Sequence, residues 1–173
     1  MNRAELVELI REGVAGAGPR WADLGAGEGN FTLALLDVLG PEASVTAVDR
    51  DARALRALAG QAGVETRTAD FTRPTGLADL DGVLMANSLH FVRDKPAVLE
   101  LVGRMLRCSG RLVVVEYSTD RGNPWVPHPF TYERWEKMAA RAGFVSTRLL
   151  RTVPSSHFGS MYSAVSFSRP EAG

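Results

Sequence analysis

The sequence predicts an α/β protein: one mostly parallel seven-stranded sheet, helices on both faces, and an antiparallel hairpin at its C-terminal end. Three observations predict it. Short strand-like runs alternate with helical stretches through most of the chain, the rhythm of strand–helix–strand units. The runs are apolar on both faces, as in Leu112-Val113-Val114-Val115, which suits strands buried on both sides. The last two runs have no helix between them, so they pair antiparallel.

Residues 2–16 place Leu6, Leu9, Ile10 and Val14 at the spacing of an amphipathic helix. A glycine-rich stretch and Pro19 close it, giving an N-terminal helical segment over 1–18. Parallel strands are expected at 21–24, 44–48, 64–68, 82–86 and 112–116, and helices at 30–39, 51–59, 95–106 and 131–142. Runs at 144–153 and 161–167, joined through 154–159, make the hairpin. A chain of 173 residues is the size of a single domain, 1–173.

Composition narrows the function. Twenty basic and twenty acidic residues leave no net charge, so the general phosphate attraction of a nucleic-acid binder is missing. One cysteine, Cys108, excludes an intramolecular disulfide framework and a cysteine-rich zinc site, and His90, His128 and His157 are too scattered for a metal cluster. No apolar run approaches a membrane span. Glu5, Glu8 and Glu12 make the first residues unlike a secretory or transit signal. The expectation is a cytoplasmic protein with no metal, no membrane and no nucleic-acid partner.

In an open parallel sheet, ligands bind beyond the carboxyl ends of the strands. The first strand runs into Asp23-Leu24-Gly25-Ala26-Gly27-Glu28-Gly29, and its glycines allow a tight turn and a close ligand approach. The second strand ends at Asp49, 20 residues after Gly29, where an acid can accept from both ribose hydroxyls of a nucleoside. The spacing is G-x-G-x-G, with Asn30 where a dinucleotide fingerprint has its last glycine. Asp23 and Glu28 would repel a pyrophosphate but suit a cationic ligand. A P-loop lysine is absent. The nucleoside is therefore expected to carry an amino group and a sulfonium.

On these motifs the chain resembles the class I methyltransferases that use S-adenosylmethionine, with their Rossmann-like three-layer fold, over about residues 20–167. Among them it is most similar to the small-molecule and quinone-biosynthesis group. The resemblance implies Asp23, Gly25, Gly27 and Gly29 as the cofactor loop, Asp49 on the ribose, Asp70 on the adenine amine with Phe71 against the ring, and Arg50 and Asn87 beside them. It also implies that 81–92 is the fourth strand with its active-site turn and that 106–112 is the turn into the fifth strand. Asn87-Ser88-Leu89-His90 does not match the Asn-Pro-Pro-Tyr turn of base-directed amino methyltransferases, and Cys108 lies away from the cysteine position of the cytosine enzymes. The substrate is then a small molecule.

His90, after the fourth strand, is the candidate general base for a hydroxyl or an acidic carbon; packing beside the cofactor is its other reading. Glu116 and Tyr117 end the fifth strand and are expected to face the pocket, as catalytic or substrate-positioning groups. Ser88, His90, Tyr117 and Trp125 are taken as the substrate pocket. The loop 118–130, rich in proline and aromatic residues, reads as a lid that closes with the N-terminal helix or with the second subunit of a homodimer, or as a packed connector. Alignment and water exclusion would carry most of the catalysis. A non-catalytic S-adenosylmethionine binder or activating partner subunit is the alternative, favoured by how little of the chain lies outside the sheet and its helices. A nicotinamide-dependent oxidoreductase is the remote one, disfavoured by Asn30.

Overall fold

A computed structural model describes residues 1–155 and 158–170; His157, in the predicted hairpin connection, lies outside them. The chain begins with helix α1 (Arg3–Val14), which starts where a capping box starts it. Asn2 Oδ1 accepts the Glu5 amide at 3.0 Å and Glu5 Oε2 accepts the Asn2 amide at 2.7 Å. Strand β1 (Arg20–Leu24), helix α2 (Asn30–Leu39), strand β2 (Ser44–Asp49), a 3₁₀ segment (Ala54–Leu58) and strand β3 (Val64–Thr68) follow. Then come β4 (Leu80–Ala86), a 3₁₀ turn (Leu89–Phe91), α3 (Lys95–Met105), β5 (Leu106–Tyr117), α4 (Tyr132–Arg141), β6 (Val145–Ser155) and β7 (Gly159–Phe167).

The seven strands form one sheet in the order β3-β2-β1-β4-β5-β7-β6. β1 to β5 are parallel, and β7 lies antiparallel between β5 and β6. All seven residues of β4 are buried, as a central parallel strand requires. One face packs Val98, Leu99 and Val102 of α3 and Trp135 of α4 against Val83, Met85 and Val114. The other packs Leu6, Leu9, Ile10 and Val14 of α1 and Leu35 of α2 against Leu84, Val113 and Val115. Each fully buried aliphatic side chain contributes about 1.5–3 kcal/mol. Polar bonds fix α1 at both ends: Arg3 grips Asp37 of α2 at 2.5 and 2.6 Å, and Arg111 donates to the carbonyls of Gly13 and Ala15, each at 3.0 Å.

Two expectations change. The helix predicted over 51–59 is only the 3₁₀ segment, because Asp51 Oδ1 takes the Arg53 amide at 2.8 Å and Asp49 Oδ1 takes the Asp51 amide at 2.9 Å. Those side chains compete with helical pairing. The turn predicted at 106–112 is instead the start of β5, which carries an irregularity: its register shifts between Leu80↔Leu106 and Gly82↔Arg111, and Ser109 has φ 58°. Among the described residues no helix is long and apolar enough to cross a membrane.

Candidate functional site

The parallel order places the carboxyl ends of β1, β2, β4 and β5 along one rim. The Gly25 and Ala26 amides donate to the Val48 carbonyl at 2.8 and 3.0 Å, tying the glycine loop to the end of β2. Gly25 has φ 81°, and a Cβ there would collide with Ser88. Gly27 has φ 54° and nothing within 4 Å on its Cβ side, so that side of the loop is open. Gly29, at φ 85°, precedes α2 without a side-chain cap.

Two cavities open on this rim and share Gly25, Gly27 and Asn87. The first, about 630 Å³, is lined by Asp49, Arg50, Asp51, Asp70, Phe71, Ser88, Phe91 and Val92 among others. The second, about 570 Å³, is lined by Asp23, Glu28, Phe31 and Tyr117, and by Leu6, Pro154 and Met161 from α1 and the hairpin.

In the first cavity Asp49 is held by the backbone. Its Oδ2 accepts the Gly27 amide at 2.8 Å and its Oδ1 the Asp51 amide at 2.9 Å. Each oxygen keeps a lone pair for a ligand. Asp70 Oδ1 takes the Thr72 amide and hydroxyl, at 2.9 and 2.7 Å, and those bonds hold its carboxyl below the usual range. Its Oδ2 accepts nothing among the described residues.

Asn87, at the seam of the two cavities, has φ 53° and a buried Oδ1 without a partner. Such an atom carries a desolvation cost unless a ligand or water meets it. Asp23, at the second cavity, is 1% exposed. Burial pushes its carboxyl up to about 7, opposed by the Thr32 hydroxyl donating at 2.7 Å and assisted by the charge of Asp49. A cation beside it would favour the ionised form.

The residues beneath the rim are differently disposed from the sequence reading. Glu116 does not face a cavity. Consecutive strand residues point to opposite faces, and Tyr117 takes the cavity side. Glu116 is fully buried and accepts the Leu89 and His90 amides at 3.0 and 3.2 Å on Oε1 and faces His90 Nδ1 at 2.7 Å on Oε2. His90, 2% exposed, lines neither cavity and stands behind the Tyr117 ring, 5.9 Å away. Ser88 lines the Asp49 cavity rather than the Tyr117 one, and its hydroxyl donates to the Leu24 carbonyl at 2.7 Å. Gly29 is buried and lines neither cavity.

The loop 118–130, expected as a lid or a packed connector, stands away from both cavities, and none of its residues lines either. Trp125 is 80% exposed, while Val126 and Phe130 are core residues and the His128 amide donates to the His90 carbonyl at 3.0 Å. Burying those two apolar side chains turns the loop inward as a packed connector and leaves Trp125 outside. The covering wall comes from α1 and the hairpin instead, and the Tyr117 ring packs tilted against Phe158 beyond β6, 4.9 Å between ring centres. Sequence reasoning missed Leu6, Pro154 and Met161 because residues distant in the chain meet only through the sheet order. It also passed over Lys95, whose signal is local: a cation in the first turn of a helix opposes the helix dipole.

Residues 22–112 match the family model described as a methyltransferase domain. A reducing polyketide synthase from a Penicillium species is 28% identical over 165 residues, 77% of this chain and 7% of that protein. The crystal structure of the CurJ carbon methyltransferase superposes with a TM-score of 0.74 at 21% identity, over 88% of this chain and 49% of the other. A Burkholderia thailandensis 1,6-didemethyltoxoflavin-N1-methyltransferase, with that compound and S-adenosylhomocysteine bound, gives 0.76 at 19% identity, over 96% and 78%. The chain thus spans a small part of the synthase and about half of the carbon methyltransferase.

Proposed function

The chain belongs to the methyltransferase-domain family of S-adenosylmethionine-dependent enzymes, and from that premise we propose that it methylates a small molecule at an acidic carbon, with His90 as general base and Glu116 orienting it. The observation that carries this reading is the buried pair itself, Glu116 Oε2 at 2.7 Å from His90 Nδ1.

The residues on the rim fit the cofactor. Asp49 would hold the ribose through its two free lone pairs, Asp70 Oδ2 the adenine amine, and Phe71 the ring. Arg50 lines the same cavity. The orphaned Asn87 Oδ1 and the Asp23 carboxylate would meet the amino-acid end, beside the open Gly27 side of the loop. When bound, S-adenosylmethionine supplies a methyl group on a sulfonium and leaves as S-adenosylhomocysteine.

The chain's own task is to generate the nucleophile and to exclude water. Glu116 fixes the imidazole with Nδ1 toward it, which leaves Nε2 as the basic nitrogen. His90 Nε2 would take the acceptor's proton, leaving the electron pair on carbon free for the methyl group that the bound cofactor would supply. Likeness to a carbon methyltransferase supports a carbon acceptor, and the toxoflavin relative supports a small one. Leu6, Phe31, Tyr117, Pro154 and Met161 give the acceptor side an apolar wall.

A second reading is favoured by one observation, that neither His90 nor Glu116 lines a cavity. In it the pair only braces the turn, and alignment and desolvation carry the reaction. His90→Ala separates the two when assayed with 3-oxoacyl thioesters and a panel of hydroxyl and amine acceptors. A base predicts that kcat falls by roughly 10²–10⁴ while S-adenosylhomocysteine affinity is kept. An unchanged kcat selects the second reading. Absence of transfer to every acceptor by a wild-type protein that binds the cofactor favours a non-catalytic binder or activating partner subunit.

A further inference from the structure

Lys95 is 7% exposed although it opens helix α3, where the dipole disfavours a cation. Its ammonium turns away from the helix. Nζ donates to the Val92 carbonyl at 2.8 Å and to the His128 carbonyl at 2.8 Å, and stands 5.1 Å from the Phe130 ring centre. No carboxylate of the described residues reaches it within 4 Å. Burial lowers its pKa, and the charge of Glu116 opposes that.

The two carbonyls belong to different segments. Val92 follows the turn that carries His90 and lines the Asp49 cavity together with Ser88, Phe91 and Arg93. His128 belongs to the connector after β5, and its amide bonds back to the His90 carbonyl. Glu116 holds the same turn from inside the sheet through the Leu89 and His90 amides. The turn is therefore held by an anion on its amide side and by a cation on its carbonyl side.

We propose that Lys95 is a positioning residue: its buried ammonium straps the turn at 88–93 to the connector at 126–130, and so sets where one wall of the Asp49 cavity stands. The strap acts on the cofactor half of the site and needs no knowledge of the acceptor. Its binding readout rests on the cofactor assignment above; its exchange readout does not.

The test compares Lys95→Met, which keeps the stem and removes charge and donors, with Lys95→Arg, which restores both. Amide hydrogen exchange of the ligand-free proteins should show residues 88–93 and 126–130 exchanging about ten-fold faster or more in Lys95→Met, with β1 and β2 unchanged. S-adenosylhomocysteine affinity should fall about ten-fold or more in Lys95→Met and stay within about three-fold in Lys95→Arg. Acceleration spread evenly over the sheet, or no acceleration, overturns the strap. So does unchanged affinity in Lys95→Met. If the wild-type protein does not bind S-adenosylhomocysteine, the cofactor reading fails and the exchange data alone decide the strap.

The chain has two lysines, Lys95 and the exposed Lys137, so a measurement without any variant is open should Lys95→Met not fold. Acetylation of the wild-type protein should slow at Lys95, relative to Lys137, by about five-fold or more when S-adenosylhomocysteine saturates it, because opening of the turn is then linked to ligand release. An equal ratio with and without the ligand refutes the coupling.

Discussion

Replacing Asp49 by alanine tests the cofactor half of the site directly. The carboxylate lies between two backbone amides, Gly27 at 2.8 Å and Asp51 at 2.9 Å, which aim its remaining lone pairs outward. Two bonds to ribose hydroxyls would be lost, each charge-assisted and worth about 1.5–3 kcal/mol. Water returns to the hydroxyls in the variant and recovers part of that sum, leaving about 2–3 kcal/mol, or roughly 30- to 150-fold in Kd. Asp49 is half-buried, so water also reaches the two freed amides and the fold should survive. Calorimetric titration with S-adenosylhomocysteine, alongside thermal unfolding, reads both effects. A folded Asp49→Ala protein that binds within about three-fold of wild type places the ribose elsewhere and undoes the assignment of the first cavity.

Three further predictions follow the same geometry. Burial holds Asp23 at about 7, above the roughly 3.9 of an unfolded chain, so the native state keeps that proton more tightly and stability falls as pH rises through this window. Asp23→Asn should remove the fall, which urea unfolding at about pH 5 and about pH 8 would measure; an equal gap between variant and wild type at both values contradicts it. Gly25→Ala forces a side chain onto φ 81° and against Ser88, which should cost about 2–4 kcal/mol of stability and most cofactor binding; a variant with wild-type Tm and affinity counts against that packing. Trp125→Ala should leave cofactor affinity and turnover unchanged, since the indole is exposed and lines no cavity, while Tyr117→Ala should raise the acceptor's KM; the reverse pattern in steady-state kinetics would restore the lid.

Much of this was legible in the chain because the signals are local. The runs at β1 to β4, the glycine loop and the spaced Asp49 each follow from a few consecutive residues, and α2 begins and ends where its pattern does. The 3₁₀ segment was harder: Asp49 and Asp51 bond amides two residues on, a side-chain choice that periodicity does not record. Glu116 and Tyr117 could not both face one cavity on a strand, yet only the register Glu116↔Tyr162 and Tyr117↔Met161 decides which one does. Trp125 misled because an apolar side chain in a loop suggests burial, whereas Val126 and Phe130 are the residues that anchor it.

The insertion of β7 between β5 and β6 has a consequence for the chain as it is made. Among the described residues β6 pairs only with β7, and β5 has β4 on one side and waits for β7 on the other. A nascent polypeptide that has emerged only to Ser155 therefore carries an open edge along Val113, Val114 and Val115, three residues buried in the finished molecule. Unpaired apolar edges recruit other strands, so ribosomal pauses or premature stops in this stretch should yield aggregating products that proteases or chaperones must clear. Pro154 and Met161 also line the second cavity, so that wall is completed only once the segment after β6 has been synthesised.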